Sequence, residues 1–350
     1  MNKYFYFLYG RQNAVYIIYL ETVTDILDSL SFYKDLNIKS KLTKATLYSY
    51  SHVLRFLIKL LPSIGKNNNE VQNFLVSKIG YNCDFGITEH CSCLISPTRD
   101  KVIVHHHGQY FQKYGFGQSY LKLKNEYEIY QHLEGDYQYL SISKAKQYED
   151  NERFCSFRLY TDKSCNRHTL LQIYNDILLN SLVEFNKALP RQERTVSEYF
   201  EGILHKIKGS DLKLRAQSII DKFGKEKLLS GLTHNDFKPW NVLVGEEKTL
   251  FFDFEECTAN GIIGTDFFNY FIDPVMLNFK GLAKVEKAIE HHKVKDAFEK
   301  YSKEFAFKSP YYLVLSMYLL DRCFKYEVEK NTTMRARYMG LFEIIRVKLT

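Results

Sequence analysis

The chain has 350 residues, 45% hydrophobic and 25% charged, an ordinary globular balance that excludes a disordered or fibrous protein and leaves length for more than one core. Its net charge of +7 favours loose attraction to phosphates, acidic glycans or anionic lipid, but the basic residues are too dispersed for a specific nucleic-acid partner. Aromatic residues reach 15% and read as core and rim fillers rather than base-stacking platforms.

Two apolar runs open the chain, residues 4–9 and 14–20, separated by Gly10-Arg11-Gln12-Asn13. Neither approaches the roughly 20 residues needed to span a bilayer, and together they predict a strand hairpin. Lys34, Lys39, Lys41, Lys44, Arg55 and Lys59 then gather on or just before a predicted helix in which Tyr50, Val53, Leu54, Leu57, Ile58 and Leu61 recur at helical spacing. The expectation is that these apolar residues are buried and the basic face is solvated; peripheral contact with a membrane is the alternative. Residues 1–80 thus read as a leader segment, with Lys66-Asn67-Asn68-Asn69-Glu70 as its most loop-like stretch.

Residues 81–160 read as a small antiparallel-sheet lobe. Segments 91–96, 101–107 and 109–114 are β-prone and are divided by Pro97-Thr98-Arg99-Asp100 and by Gly108, the pattern of a three-stranded meander. Lys113 falls in the third strand, a helix is predicted over about 118–133, and segment 154–160 supplies the last strand. Seven cysteines, odd in number and irregularly spaced, without a secretory signal, predict reduced thiols in a cytoplasmic protein. His90-Cys91-Ser92-Cys93 and His105-His106-His107 carry metal-ligating atoms, but successive strand residues face opposite ways, so neither is taken as a metal site.

Beyond about residue 168 helix-spaced apolar residues dominate. Leu170, Leu171, Tyr174, Ile177, Leu178 and Leu182 fit one helix and Val314, Met317, Tyr318 and Leu320 another, so residues 161–350 predict a mainly helical unit. Set into it is Thr233-His234-Asn235-Asp236-Phe237-Lys238-Pro239-Trp240-Asn241, then two β-prone runs around Gly245-Glu246-Glu247-Lys248, then Asp253-Phe254-Glu255. A hairpin here returns Asn241 and Asp253 to one end, beside the loop carrying Asp236. A carboxylate to hold a hydroxyl, with amide and carboxylate oxygens for Mg²⁺, is what phosphoryl transfer requires. Taken singly, each piece more often marks a cap or a turn.

His-x-Asp-x-x-x-x-Asn followed by Asp-Phe-Glu resembles the catalytic loop and metal motif of the aminoglycoside phosphotransferase and choline kinase superfamily. His234-Asn235-Asp236 is similar to the choline kinase triplet, whereas residues 236–241 look more like phosphotransferase-like proteins of bacterial surface-polysaccharide loci. The resemblance implies an α+β, two-lobed, protein-kinase-like fold, with a small antiparallel-sheet nucleotide lobe and a larger helical lobe for catalysis and acceptor binding. It implies ATP or GTP with Mg²⁺, and transfer of the γ-phosphoryl group to a hydroxyl of a small molecule or glycan. In that scheme Asp236 is the base, Asn241 and Asp253 hold the metal, Glu255 assists it, and His234 braces the loop. Lys113 contacts the nucleotide phosphates and pairs with Glu126, with Glu128 as the competing partner. Gly264-Thr265-Asp266 is similar to the family segment whose aspartate braces the catalytic loop, and the spacer before it is longer here.

Two departures stand out. Residues 96–100 lack the glycines of a protein-kinase phosphate loop, leaving Ser96 and Thr98 as candidate phosphate donors, and Asn235 stands where protein kinases carry Arg. A catalytically weak, kinase-like binding module in surface-glycan assembly is therefore the alternative. Asp273, Glu327 and Glu329 are further candidates for acceptor contacts.

Overall fold

In a computed structural model of the protein, residues 5–9, 14–30, 38–61, 63, 65–96, 100–162, 164–165, 171–205, 209–277, 281–306 and 310–349 are described, 38–41 and 210 by their backbone only. They fall into two compact units, Met1–Glu134 with Ile142–Thr169, and Gly135–Ser141 with Leu170–Thr350.

The first unit is built on an antiparallel sheet. In chain order its elements are β1 (Phe5–Tyr9), β2 (Val15–Tyr19), α1 (Val23–Ser29), α2 (Ile38–Leu60), α3 (Asn68–Ile79), β3 (Cys91–Ser96), β4 (Lys101–His106), β5 (Tyr110–Phe116) and α4 (Gly117–His132). After β6 (Leu140–Ile142), which pairs within the second unit, come β7 (Lys144–Asp150) and β8 (Phe154–Tyr160). Among the described residues the strand order is β1-β2-β3-β4-β5-β8-β7. The opening hairpin therefore extends the sheet. Alternation along the strands sends Val15, Ile17 and Tyr19 to the same face as Cys91, Cys93 and Ile95, where they form a core with Val71, Leu75 and Phe116. Ile18 and Leu20 join Ile26, Leu30, Leu54 and Ile58 in a second cluster. The histidines of β4 and its turn go to separate partners: His105 stacks on Phe111, while His107 Nδ1 meets Asp25 Oδ1 at 3.0 Å.

The helix α2 departs from its expected packing. Leu54 and Ile58 are buried, but Tyr50, Val53, Leu57 and Leu61 are 44%, 55%, 39% and 54% exposed. The seven-residue α1 covers little of a 23-residue helix. A narrow stripe, Leu47, Ser51, Leu54 and Ile58, recurring every three or four residues, turns inward, with Tyr48 packed beside it.

The second unit is mainly helical. It comprises α5 (Asp176–Lys187), β9 (Gln192–Thr195), α6 (Val196–Leu204), α7 (Ser210–Phe223), β10 (Lys227–Thr233), β11 (Val242–Val244), β12 (Thr249–Phe251) and β13 (Thr258–Ile262). Then follow α8 (Thr265–Leu277), α9 (Leu282–Ile289), α10 (His292–Lys303), α11 (Tyr311–Val328) and α12 (Thr332–Arg346). Two small sheets, β13-β10-β9 and β11-β12-β6, are set among the helices. The helix expected from about residue 170 begins later: Asn175 accepts the Leu178 amide and caps α5, so Leu171 and Tyr174 precede it. Leu170 lies outside the described residues.

Candidate functional site

The strand β10 ends at Thr233 and hands the chain to a loop whose side chains alternate in destination. His234 and Phe237 are fully buried, Phe237 packing on Phe251 and Tyr270 at ring separations of 4.6 and 5.3 Å, and this leaves Asp236 half-exposed between them. Pro239 then opens a single tight turn, Pro239–Asn241, that delivers Asn241 at the start of β11. In the hairpin Val242 pairs with Phe251, and the Phe252 amide donates to the Asn241 carbonyl at 3.2 Å. Asp253 follows by one residue, at the same end of the hairpin as Asn241. Its φ of +70° is unusual for a residue with a Cβ and marks a locally strained position.

The Asn241 side chain is tied to Asp236. Its Nδ2 donates to the Asp236 carbonyl at 2.9 Å and to the Asp236 carboxylate at 3.2 Å, which turns the amide oxygen away from the loop. Asn241, Asp236 and Asp253 are thus brought to one place within this unit. Glu255 sits in the one-turn helix Phe254–Glu256 that continues from Asp253.

The loop is held from below by α8. Asp266 accepts the amides of His234 and Asn235 at 2.7 and 2.9 Å, and Asn186 Nδ2 at 3.4 Å. Burial pushes the Asp266 carboxyl up, against the opposing pull of His234 and of these donors. His234 Nε2 donates to the Phe252 carbonyl at 3.1 Å, linking the loop to the end of the hairpin, and Nδ1 is buried without a partner. The ring is therefore a strut between the loop and the hairpin. Asn235 takes φ +60°, a conformation that asparagine tolerates better than most residues. Its side chain donates to the Glu256 carbonyl at 3.0 Å, and its own carbonyl accepts from Arg322 at 2.9 Å.

Lys238 and Asp273 form a second anchor that the sequence reading does not reach. Lys238 Nζ hydrogen-bonds Asp236 Oδ1 and lies 3.4 Å from Asp273 Oδ2, the latter an ion pair without hydrogen-bond alignment. Burial works to lower Lys238, but the charges of Asp273 and Asp236 outweigh it and hold the ammonium above its usual value. Asp273 is fully buried, with Tyr318 donating to Oδ1 at 2.5 Å and Tyr338 donating to the same oxygen. It is seven residues from Asp266 on α8, two helical turns, so both carboxylates rise from one face. The expectation of Asp273 as an acceptor contact is corrected: no part of it reaches solvent. Glu327 likewise serves the scaffold, accepting from the Gly209 amide at 2.9 Å and Arg335 at 3.1 Å, whereas Glu329 is exposed. The usable signal was the +2 spacing of Lys238 from Asp236 in the loop.

In the first unit, Lys113 Nζ donates to both oxygens of Glu126, at 2.6 and 2.8 Å. Both residues are buried, Glu126 completely, and Glu128 is on the exposed side of α4. Strand alternation puts Lys113 on the opposite face of β5 from Tyr110, Gln112 and Tyr114, which line a cavity of about 310 Å³. Ser96 ends β3, half-buried and paired with Lys101, while Thr98 lies outside the described residues.

The second unit has its own cavity of about 310 Å³, bounded by Pro239 of the loop, Tyr270 and Pro274 of α8, Ile173, and His291. Its lining is mainly apolar and aromatic.

No family model and no curated protein matches the chain. Solved structures similar to it include a thermostable mutant of aminoglycoside phosphotransferase APH(4)-Ia in ternary complex with AMP-PNP and hygromycin B, at 13% identity, 79% of this chain, 97% of that one and TM-score 0.45. A protein assigned as a fructosamine-3-kinase from Haemophilus somnus matches at 13% identity, 79% and 96% coverage and TM-score 0.45. The GDP complex of aminoglycoside 2'-phosphotransferase-IIIa matches at 13% identity, 81% and 100% coverage and TM-score 0.43.

Proposed function

We propose that the protein is a kinase that transfers the γ-phosphoryl group of ATP or GTP, with Mg²⁺, to a hydroxyl of a small molecule or glycan. The observation that carries this reading is the tie between Asn241 and Asp236, at 2.9 and 3.2 Å, next to the hairpin end that presents Asp253. Asp236 accepts the proton of the acceptor hydroxyl as its oxygen bonds to the γ-phosphorus. The bond from that phosphorus to the bridging oxygen breaks, and nucleoside diphosphate leaves.

The residues present suit a hard cation. The Asn241 amide oxygen and the Asp253 carboxylate are oxygen donors of the kind Mg²⁺ takes, with Glu255 as a third. Bound there, Mg²⁺ would neutralise charge on the phosphates. Lys238, kept cationic by two carboxylates, orients Asp236 and adds positive charge beside it. His234 and Asp266 keep the loop from yielding as charge moves. In the first unit Lys113, aimed by Glu126, is suited to nucleotide phosphates; Ser96 and Thr98 are the candidate hydroxyl donors. The cavity beside Pro239 supports an acceptor that lays a weakly polar face on aromatic side chains, as sugar rings do.

Thermal-shift titration with ATP and GTP, with and without Mg²⁺, tests the reading, because a ligand that binds the native state raises its apparent stability. We expect Mg²⁺-dependent stabilisation that Asp253→Ala removes. The glycine-free stretch 96–100 favours the second reading, a kinase-like binding module in glycan assembly. No stabilisation at millimolar nucleotide would favour that module and remove the phosphoryl-transfer proposal.

A further inference from the structure

Between Ile38 and Leu61 the sequence carries Lys39, Lys41, Lys44, Arg55 and Lys59 and not one Asp or Glu. In α2, a helical advance of ~100° per residue sorts the described side chains into three stripes. Leu47, Ser51, Leu54 and Ile58 pack inward. Lys44, Arg55 and Lys59 line one flank, together with His52. The other flank is Leu42, Val53, Phe56, Leu57 and Leu60, 63%, 55%, 62%, 39% and 62% exposed. Single exposed apolar side chains need no explanation, but five on one face of one helix do.

The charge pattern says what would cover this face. An apolar stripe beside an acid-free basic flank matches a surface that offers hydrocarbon and negative charge together, which is the headgroup boundary of an anionic bilayer. A second copy of the helix would set like charges against each other. No helix of the described residues is long and apolar enough to cross a membrane, so the match is to a helix lying in the interface. We propose that α2 docks the protein on an anionic lipid surface, with Val53, Phe56, Leu57 and Leu60 at the acyl boundary and Lys44, Arg55 and Lys59 among the headgroups. This docking is independent of the phosphoryl-transfer reading and needs no nucleotide.

The test is flotation of the full chain with vesicles of phosphatidylcholine alone and of an equimolar mixture with phosphatidylglycerol. Binding is expected with the anionic vesicles, weakened about fivefold by Lys59→Gln. Phe56→Glu combined with Leu60→Glu should weaken it at least about tenfold. Both positions are exposed, so the double variant should keep the wild-type thermal midpoint; should it unfold, Phe56→Ser with Leu60→Ser gives the same reading. Absence of binding to anionic vesicles overturns the proposal, as does binding that the Phe56 and Leu60 variants leave unchanged. A lipid-free dimer in sedimentation velocity that the same variants abolish also overturns it, because a second copy then owns the face.

Discussion

Asp273→Asn removes a charge from the interior while keeping its shape. The wild-type carboxylate is fully buried, takes two tyrosine hydroxyls on Oδ1, and lies 3.4 Å from Lys238 Nζ. Two unit charges at that separation interact by about 5 kcal/mol at an effective dielectric of ~20, which is a ceiling. The asparagine oxygen still accepts from both tyrosines, and Lys238 keeps Asp236 as a partner. We therefore expect a loss of about 2–3 kcal/mol, just under the usual cost of breaking a buried pair. For a unit of this size that lowers the thermal midpoint by roughly 5–12 °C.

The pH dependence has a defined sign. Burial alone would raise Asp273, but Lys238, Arg322 and the two tyrosine hydroxyls overcome it and hold the carboxyl below its ordinary value. A depressed folded-state value gives stability that is present above the unfolded value near pH ~4 and lost as pH falls through the lower folded one. Urea unfolding of wild type and Asp273→Asn across a pH series should show the full gap at neutral pH and a narrowing gap below about pH 4. Equal stability at neutral pH, or a gap that persists unchanged in acid, would refute the account of Lys238 and Asp273 as a charge-coupled anchor.

Two further substitutions probe the packing around the site residues. Lys113→Met strands the buried Glu126 carboxylate without its lysine and should cost about 3–5 kcal/mol; adding Glu126→Leu should recover most of that, and a double variant no better than the single would count against a buried ion pair. At Gly261 a Cβ would fall 1.8 Å from Thr233 Oγ1, where β13 crosses β10 just before the loop. Gly261→Ala should cost about 1–3 kcal/mol in urea unfolding, partly relieved by Thr233→Ala, and a neutral single substitution would contradict this close approach.

Where a feature depends on near neighbours in the chain, the sequence was readable. A strand followed at once by a helix leaves Lys113 few acidic partners, and Glu126 is the one that faces inward. The hairpin that returns Asn241 to Asp253 closes through a four-residue turn, so pairing of β11 with β12 follows from local pattern alone. The start of α5 was misplaced because apolar periodicity continued past the capping residue Asn175 in the N-terminal direction, where cap chemistry and not hydrophobicity decides. The packing of α2 was misread for a different reason. Helical spacing says which residues share a face but not whether the rest of the molecule supplies a surface to cover it.

The local pieces were legible in short windows of sequence: the strands of the meander, the helical second half, and a loop and hairpin whose spacing gathers Asp236, Asn241 and Asp253. Long-range packing set the rest: β1 and β2 extend the same sheet, Asp273 is an interior counter-charge rather than a ligand contact, and one flank of α2 is exposed. These depend on residues distant in the chain meeting across packed surfaces. Whether a carboxylate is solvated or buried against a lysine is set by those meetings, and no short window of sequence contains them.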